Sequence, residues 1–209
     1  MYIPKAFRVI DNSAALELIE KEPFGTLVST VEGEIAITHL PFSIVRSEPD
    51  LVLCAHMAKA NPHWQHLSGA EVVVMFRGVH GYISPRWYSK PQRDVPTWNY
   101  AVVNCTGIAE ISVDEAKGSI VRRLVDQMEA GESRPWSVED LDSGYFESQM
   151  QGIVAFYVRV RKVDAKFKLS QNRSEVDRDG AIAGLRQGTS EACHALATAM
   201  QRFALEDSK

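Results

Sequence analysis

Two aromatic-polar runs lie close together in this chain, Tyr82-Ile83-Ser84-Pro85-Arg86-Trp87-Tyr88 and Val95-Pro96-Thr97-Trp98-Asn99-Tyr100, each after a strand-like segment. Trp and Tyr are large amphipathic rings that need a packed face and a hydrogen-bond partner, and here they stand among loop formers. Such a cluster suits a planar ligand. It equally suits the cap of a barrel end or a dimer contact, where Trp, Tyr and Arg are enriched.

A second run, His56-Met57-Ala58-Lys59-Ala60-Asn61-Pro62-His63-Trp64, leads from a strand toward a helix. Asn61 is a good N-cap and Pro62 a good first helical residue, so free N–H groups would lie beside Lys59. A phosphate gains from such a helix start, from a lysine charge and from the imidazole of His56 or His63. An ordinary capped helix with a solvated Lys59 has the same sequence. The third run, Lys166-Phe167-Lys168-Leu169-Ser170-Gln171-Asn172-Arg173, packs cations, amides and a hydroxyl into eight residues. It reads either as a strand end with a helix cap or as donors and acceptors for an anionic heterocycle.

Other reactive types form weaker patterns. His56, His63 and His66 lack the glutamate and fourth ligand of a zinc site, so no metal is expected. His39, His80 and Cys105 form no recognisable nucleophile arrangement. Cys54, Cys105 and Cys193 are widely spaced and odd in number, which argues against a disulfide framework and for burial as small hydrophobes.

The elements that must position these residues are mostly strands. A short helix over 13–21 gives way at Pro23 and Gly25 to strands near 25–30, 34–44, 50–55, 71–77 and 81–84. The short link Val31-Glu32-Gly33-Glu34 predicts a hairpin and antiparallel neighbours. A strand over 99–111, buried on both faces or bent at Gly107, is followed by a helix. There Ser112 and Glu115 have capping-box spacing, Ile120, Val121, Leu124, Val125 and Met128 form the apolar stripe, and Gly131 is the C-cap. A helix over 137–148, a long strand over 153–167 and a helical tail from Arg178, with a face of Ala192, Leu196, Met200 and Phe203, complete the chain.

The 209 residues, 45% hydrophobic and 24% charged, can bury a sizeable core. A net charge of −4 argues against a strongly basic nucleic-acid protein but leaves room for a local basic patch. The first residues lack the apolar run of a signal peptide, and no stretch approaches the roughly 18 apolar residues of a membrane span. A cytoplasmic protein without membrane contact is expected.

Taken in order, the opening Met1-Tyr2-Ile3-Pro4-Lys5-Ala6-Phe7, Gly25-Thr26-Leu27-Val28-Ser29-Thr30, Thr38-His39-Leu40-Pro41-Phe42, the 56–64 run, both Trp-rich runs and Lys168 to Arg173 resemble the PaiB-like family of flavin-binding regulators. That family belongs to the FMN-binding split-barrel superfamily, and the resemblance spans nearly the whole chain. It implies a mainly β fold with added helices: a six-stranded antiparallel split barrel, pyridoxamine-phosphate-oxidase-like, with C-terminal helices. It also implies a single domain over 1–209, whose helical extension 174–209 packs on barrel or partner, and a homodimer with two FMN sites at the interface. Carried onto this chain, Lys59 becomes the leading phosphate ligand, with His56 and Asn61 near it. Thr38 and His39 approach the flavin from the second strand. Trp98, Asn99, Tyr100, Lys168, Ser170 and Gln171 come from later strands, from the same subunit or across the dimer. Val79 and Gly81 stand where the family pattern has Pro and Ala, and Arg86 replaces a smaller residue.

Relatives of this type are negative transcriptional regulators of protease production and sporulation, so the resemblance implies a regulatory role, with any contact of this chain with DNA expected to be indirect or through a local basic patch. The alternatives are a flavin-dependent oxidoreductase, with Tyr82, His80 and Tyr100 as proton-donor candidates and no catalytic residue assigned, or a haem-binding relative with His56, His63 or His194 as axial ligand.

Overall fold

The computed structural model describes residues 1–9, 12–47 and 50–206. Seven strands, β1 (Phe24–Val31), β2 (Glu34–Pro41), β3 (Ser43–Ser47), β4 (Asp50–Ala58), β5 (Glu71–Ile83), β6 (Thr97–Ile111) and β7 (Ile153–Lys168), form one sheet in the order β2-β1-β5-β6-β7-β4-β3. Five α-helices accompany it: α1 (Asn12–Lys21), α2 (Lys117–Glu129), α3 (Ser143–Gln151), α4 (Glu175–Arg186) and α5 (Glu191–Glu206).

The sheet has seven strands where the family resemblance implied six, and the segment 34–44 is not one strand. Pro41 ends β2, since it has no N–H to continue a ladder. Phe42 then turns fully into the core, edge-on to Phe76 and Phe156 at 5.7 and 6.2 Å. Beyond it, β3 changes partner and pairs with β4 instead of β1. The expected break between 77 and 81 is absent, and β5 runs through both segments. The hairpin at Glu32-Gly33 holds as expected, with both residues at positive φ and β1 paired antiparallel to β2.

β6 alternates strictly, with Asn99, Ala101, Val103, Cys105 and Ala109 buried, so it is not buried on both faces. Gly107 is needed for close approach: a Cβ there would stand 2.3 Å from the Arg159 carbonyl oxygen of β7.

The helical expectations need three adjustments. Ser112 gives its hydroxyl to the Val113 carbonyl, a 3-10 turn over Asp114–Ala116 intervenes, and α2 starts at Lys117 without a side-chain cap. Its C-cap is Ala130, one residue before Gly131, and Met128 is exposed while Ile120 and Leu124 are buried. The segment 137–148 divides into a 3-10 turn, Val138–Asp140, whose capping box comes from Ser137 and Asp140, and α3, capped by Asp142. The Glu115 side chain lies outside the described residues.

The chain forms two compact units. One contains residues 1–16, 77–103 and 164–209, the other 17–76 and 104–163. In the second, Leu27, Phe42, Leu53, Phe76 and Phe156 make the core, and Ile120 of α2 packs on Cys54 and Ala155. In the first, α5 buries Leu196 and Met200, and Phe203 meets Phe167 of β7 edge-on at 5.1 Å. Gly81 permits this packing, since a Cβ there would come within 2.8 Å of Leu196. Trp87 lies across α4, where a Cβ at Gly184 would stand 2.4 Å from its ring.

Candidate functional site

The residues singled out by sequence fall into two sets, one in each unit. In the second unit the centre is His63. Pro62–His66 is a five-residue 3-10 helix, not the α-helix expected, with Asn61 as its N-cap. Asn61 Oδ1 accepts the His63 N–H at 3.0 Å, so the first donor of that turn is consumed. The imidazole is buried between two hydroxyls, with Nε2 2.8 Å from Ser29 Oγ of β1 and Nδ1 2.8 Å from Thr38 Oγ1 of β2. Asn61 Nδ2 donates to the same Thr38 oxygen at 3.2 Å. Burial, with a smaller contribution from His66, holds the His63 pKa below its ordinary value.

This knot pins the turn to two strands. Lys59 donates its N–H to the Gly152 carbonyl at 2.8 Å and accepts the indole N–H of Trp64 at 2.9 Å on its own carbonyl. Its side chain is exposed on this fixed backbone. A turn this short presents no row of free N–H groups, which leaves the exposed Lys59 ammonium as the cationic group beside it.

His56, on β4, is part-buried, its pKa is lowered by burial, and its Nδ1 is buried without a hydrogen-bond partner. That orphaned atom has unused capacity for a polar ligand group. Thr38 and His39, adjacent on β2, point to opposite faces as strand geometry requires. Thr38 points to His63, whereas the exposed His39 hydrogen-bonds Thr26 at 3.0 Å and stacks on Phe24 at 6.3 Å.

In the first unit the alternation of β5, β6 and β7 makes a second set. Trp98 and Tyr82 are 54% and 46% exposed, and their rings meet edge-on at 6.4 Å. His80, also on β5, stacks on Trp98 at 6.5 Å with an interplanar angle of 18°. Lys168 of β7 donates to the Trp98 carbonyl at 2.8 Å and to the Thr97 hydroxyl, and burial lowers its pKa. Lys166 lies 5.4 Å above the Tyr100 ring and 5.7 Å from the Tyr2 ring.

Asn99 points the other way, fully buried, with Nδ2 donating to Ser170 Oγ at 2.8 Å and to Met200 Sδ at 3.4 Å, and with Oδ1 unpartnered. Ser170 is held at φ +69°, a left-handed conformation uncommon outside glycine. Gln171 braces its own strand end. Its Oε1 accepts the Leu169 N–H at 2.7 Å and its Nε2 donates to the Phe167 carbonyl at 2.6 Å.

The contacts thus gather Thr38, Asn61 and His63 in one unit, and Trp98, Tyr100 and Lys168 on one exposed sheet face in the other. Asn99 and Ser170 form a buried pair, and Gln171 is engaged with backbone. Sequence reasoning missed Ser29 and the bridging place of His63. The available signal was the alternation of β1, which puts Leu27 and Ser29 on one face. It also missed Thr97 and the contacts of Trp98 with His80, stacked, and Tyr82, edge-on, which follow from the pairing of β5 with β6. Arg86 turns back to Ser84 Oγ at 3.0 Å.

The family model described as "Putative FMN-binding domain" matches residues 1–162. The chain belongs to this FMN-binding family. It is 35% identical over 187 residues, 89% of each chain, to "Protease synthase and sporulation protein PAI 2" of Bacillus subtilis (strain 168). Solved structures share the fold at lower identity. The FAD and heme binding protein from Mycobacterium smegmatis is 17% identical, with TM-score 0.58 over 77% of this chain and 73% of that one. The flavocytochrome Anf3 from Azotobacter vinelandii is 15% identical, with TM-score 0.58 over 79% and 72%. The PaiB-like resemblance and the split-barrel fold class are therefore findings, and the cofactor class is flavin. The side chains of each unit are compatible with it: in the second, Lys59 and the His56 Nδ1 can meet phosphate or ring heteroatoms, and in the first, the electron-rich rings of Trp98 and Tyr100 can stack on a planar, electron-poor ring.

Among the described residues no cluster of three or more His, Cys, Asp or Glu is placed to hold a metal ion, and no helix is long and apolar enough to cross a membrane.

Proposed function

We propose that this chain is one FMN-binding domain that works as a cytoplasmic homodimer and couples the flavin to regulation of gene expression. The family match carries the cofactor. The observation in the structure that supports the site best is Lys59, exposed on a turn that His63 locks to two strands. In this reading Lys59 takes the phosphate, and His56 Nδ1 and Asn61 complete the polar contacts from the second unit. Thr38 acts through the His63 knot. The bound flavin supplies hydride or electron transfer, while the protein supplies position and electrostatics.

The regulatory part rests on similarity to the Bacillus subtilis protein, whose name refers to protease synthesis and sporulation. Contact with DNA would be indirect or through a local basic patch. The homodimer is supported by an apolar face of the second unit: Phe24, Ile35, Ile37 and Met75 are all exposed, and the β1–β2 and β1–β5 registers align the last three with Thr30, Val28 and Thr26.

Flavin oxidoreduction is the second reading, favoured by His80, Tyr82 and Tyr100 standing with Trp98 and Lys166 on an exposed face. For haem, His63 is a poor axial ligand because both its ring nitrogens are engaged, and the His194 Nε2 lies 2.7 Å from the Gly188 carbonyl.

The decisive experiment is an absorbance spectrum of the purified protein before and after FMN is added and the excess removed. Bands retained near about 370 and 450 nm support the flavin reading, and a Soret band instead supports haem. Failure to retain flavin after loading rejects the proposed FMN site.

A further inference from the structure

The outward face of the first unit gathers aromatic rings and cations. His80 and Tyr82 of β5, Trp98 and Tyr100 of β6 and Lys166 and Lys168 of β7 lie side by side on three neighbouring strands. Three observations about it converge. The rings already associate: His80 is parallel to Trp98 and Tyr82 is edge-on to it, and the two large rings remain about half exposed, at 54% and 46%.

Among the described residues, neither Lys166 nor Lys168 forms an ion pair. The charged or ionisable neighbours that shift Lys168 are Tyr100, Lys166 and Arg173, two of them cations, and Lys166 is held only over rings. Asp164, on the same strand, is paired with the terminal ammonium at 3.2 Å. Lys168 spends two of its three N–H donors on the Trp98 carbonyl and the Thr97 hydroxyl, which fixes the ammonium and leaves one donor outward. The unit as a whole carries thirteen Lys and Arg against nine Asp and Glu, although the full chain is acidic.

We propose that this face binds a small planar aromatic monoanion, its ring against Tyr82, His80 and Trp98 and its carboxylate between Lys166 and Lys168. Ring stacking accounts for the aromatic part, and two neighbouring ammonium groups, Lys168 with one N–H uncommitted and Lys166 held over rings, can each donate to one oxygen of a carboxylate. The proposal deepens the flavin reading by naming the second ligand such a protein would handle. It depends on that reading for the purpose of binding, not for binding itself.

The test is calorimetric titration of the full-length protein, with and without added FMN, using 2-naphthoate as the probe. 2-Naphthamide removes the charge from this probe and cyclohexanecarboxylate removes the aromatic ring. The expected result is saturable binding of 2-naphthoate, with both controls weaker by about tenfold or more. Tyr82→Leu and Lys166→Gln should each weaken 2-naphthoate by a similar factor while flavin retention at about 450 nm is unchanged. Equal binding of 2-naphthamide, or 2-naphthoate binding that neither substitution alters, overturns the proposal. Competitive displacement of 2-naphthoate by FMN also overturns it, because the face is then the flavin's own cradle and the flavin reading stands alone. Flavin loss with intact 2-naphthoate binding would reject the flavin reading and leave this one in place.

Discussion

His63 has both ring nitrogens committed to hydroxyls of different strands, so its removal leaves Ser29 and Thr38 with unmet hydrogen-bonding capacity. His63→Ala should destabilise the fold by about 2 kcal/mol in urea unfolding. The same burial makes stability depend on pH. The folded pKa values of His56 and His63 lie below the ordinary 6.5, so above that value both rings are neutral in folded and unfolded chains alike. As pH falls below 6.5 the unfolded chain takes up protons first, and stability is lost down through the folded values. The urea midpoint should be flat at higher pH and fall on acidification, with a shallower fall in His63→Gln. A midpoint that rises on acidification would contradict this sign. The thiols differ in the same way: burial raises Cys54 and pushes Cys105 up to about 12, while Cys193 is part-exposed. A thiol reagent should therefore modify one cysteine in the native protein and three after unfolding. For the cofactor, Lys59→Ala should lower FMN affinity more than His194→Ala, because His194 sits on α5, tied to the Gly188 carbonyl. Equal flavin titrations would remove Lys59 from the site.

At the scale of elements, two glycines carry close approaches that no side chain can share. A Cβ at Gly107 would meet the Arg159 carbonyl of β7, and one at Gly184 would meet the Trp87 ring. Gly107→Ala should cost more than Gly184→Ala in thermal unfolding, because backbone cannot yield as a ring can, and the first should exceed about 2 kcal/mol. Ser137 caps a turn whose Glu139 carboxyl is held at about 2 by hydrogen bonds from Ser137 and Arg122. Ser137→Ala should cost about 1 kcal/mol. The elements legible in sequence were those with strong local punctuation: α1, the Glu32-Gly33 hairpin and the Asn61-Pro62 cap. The split at Phe42 was not legible, since a Phe among β-formers reads as strand until the core claims it. The capping signal at Ser112 was misleading, because a 3-10 turn follows and its hydroxyl goes to a neighbouring carbonyl.

For the whole molecule the oligomeric prediction is the sharpest. If Ile35, Ile37, Phe24 and Met75 face a second copy, the double substitution Ile35→Lys, Ile37→Lys should shift sedimentation from dimer to monomer while the circular dichroism of the sheet is kept. A parent protein that sediments as a monomer would reject the dimer outright. From the sequence, alternation and turn residues indicated antiparallel strands with added helices, because these are properties of local chain chemistry, and the resemblance of its ordered motifs to a known family implied the split barrel and the flavin. The sequence also singled out the segments 56–64, 95–100 and 166–173 as candidates. Only the tertiary structure decided which side chains in those segments are available. Adjacent strand residues diverge, so Thr38 and His39, or Trp98 and Asn99, share a motif but not a face. Strand order then brings His80 and Tyr82 against Trp98 and sets Lys168 beside its carbonyl. Those neighbours are far apart in the chain, and the long-range pairing that joins them leaves no mark in the spacing of residues.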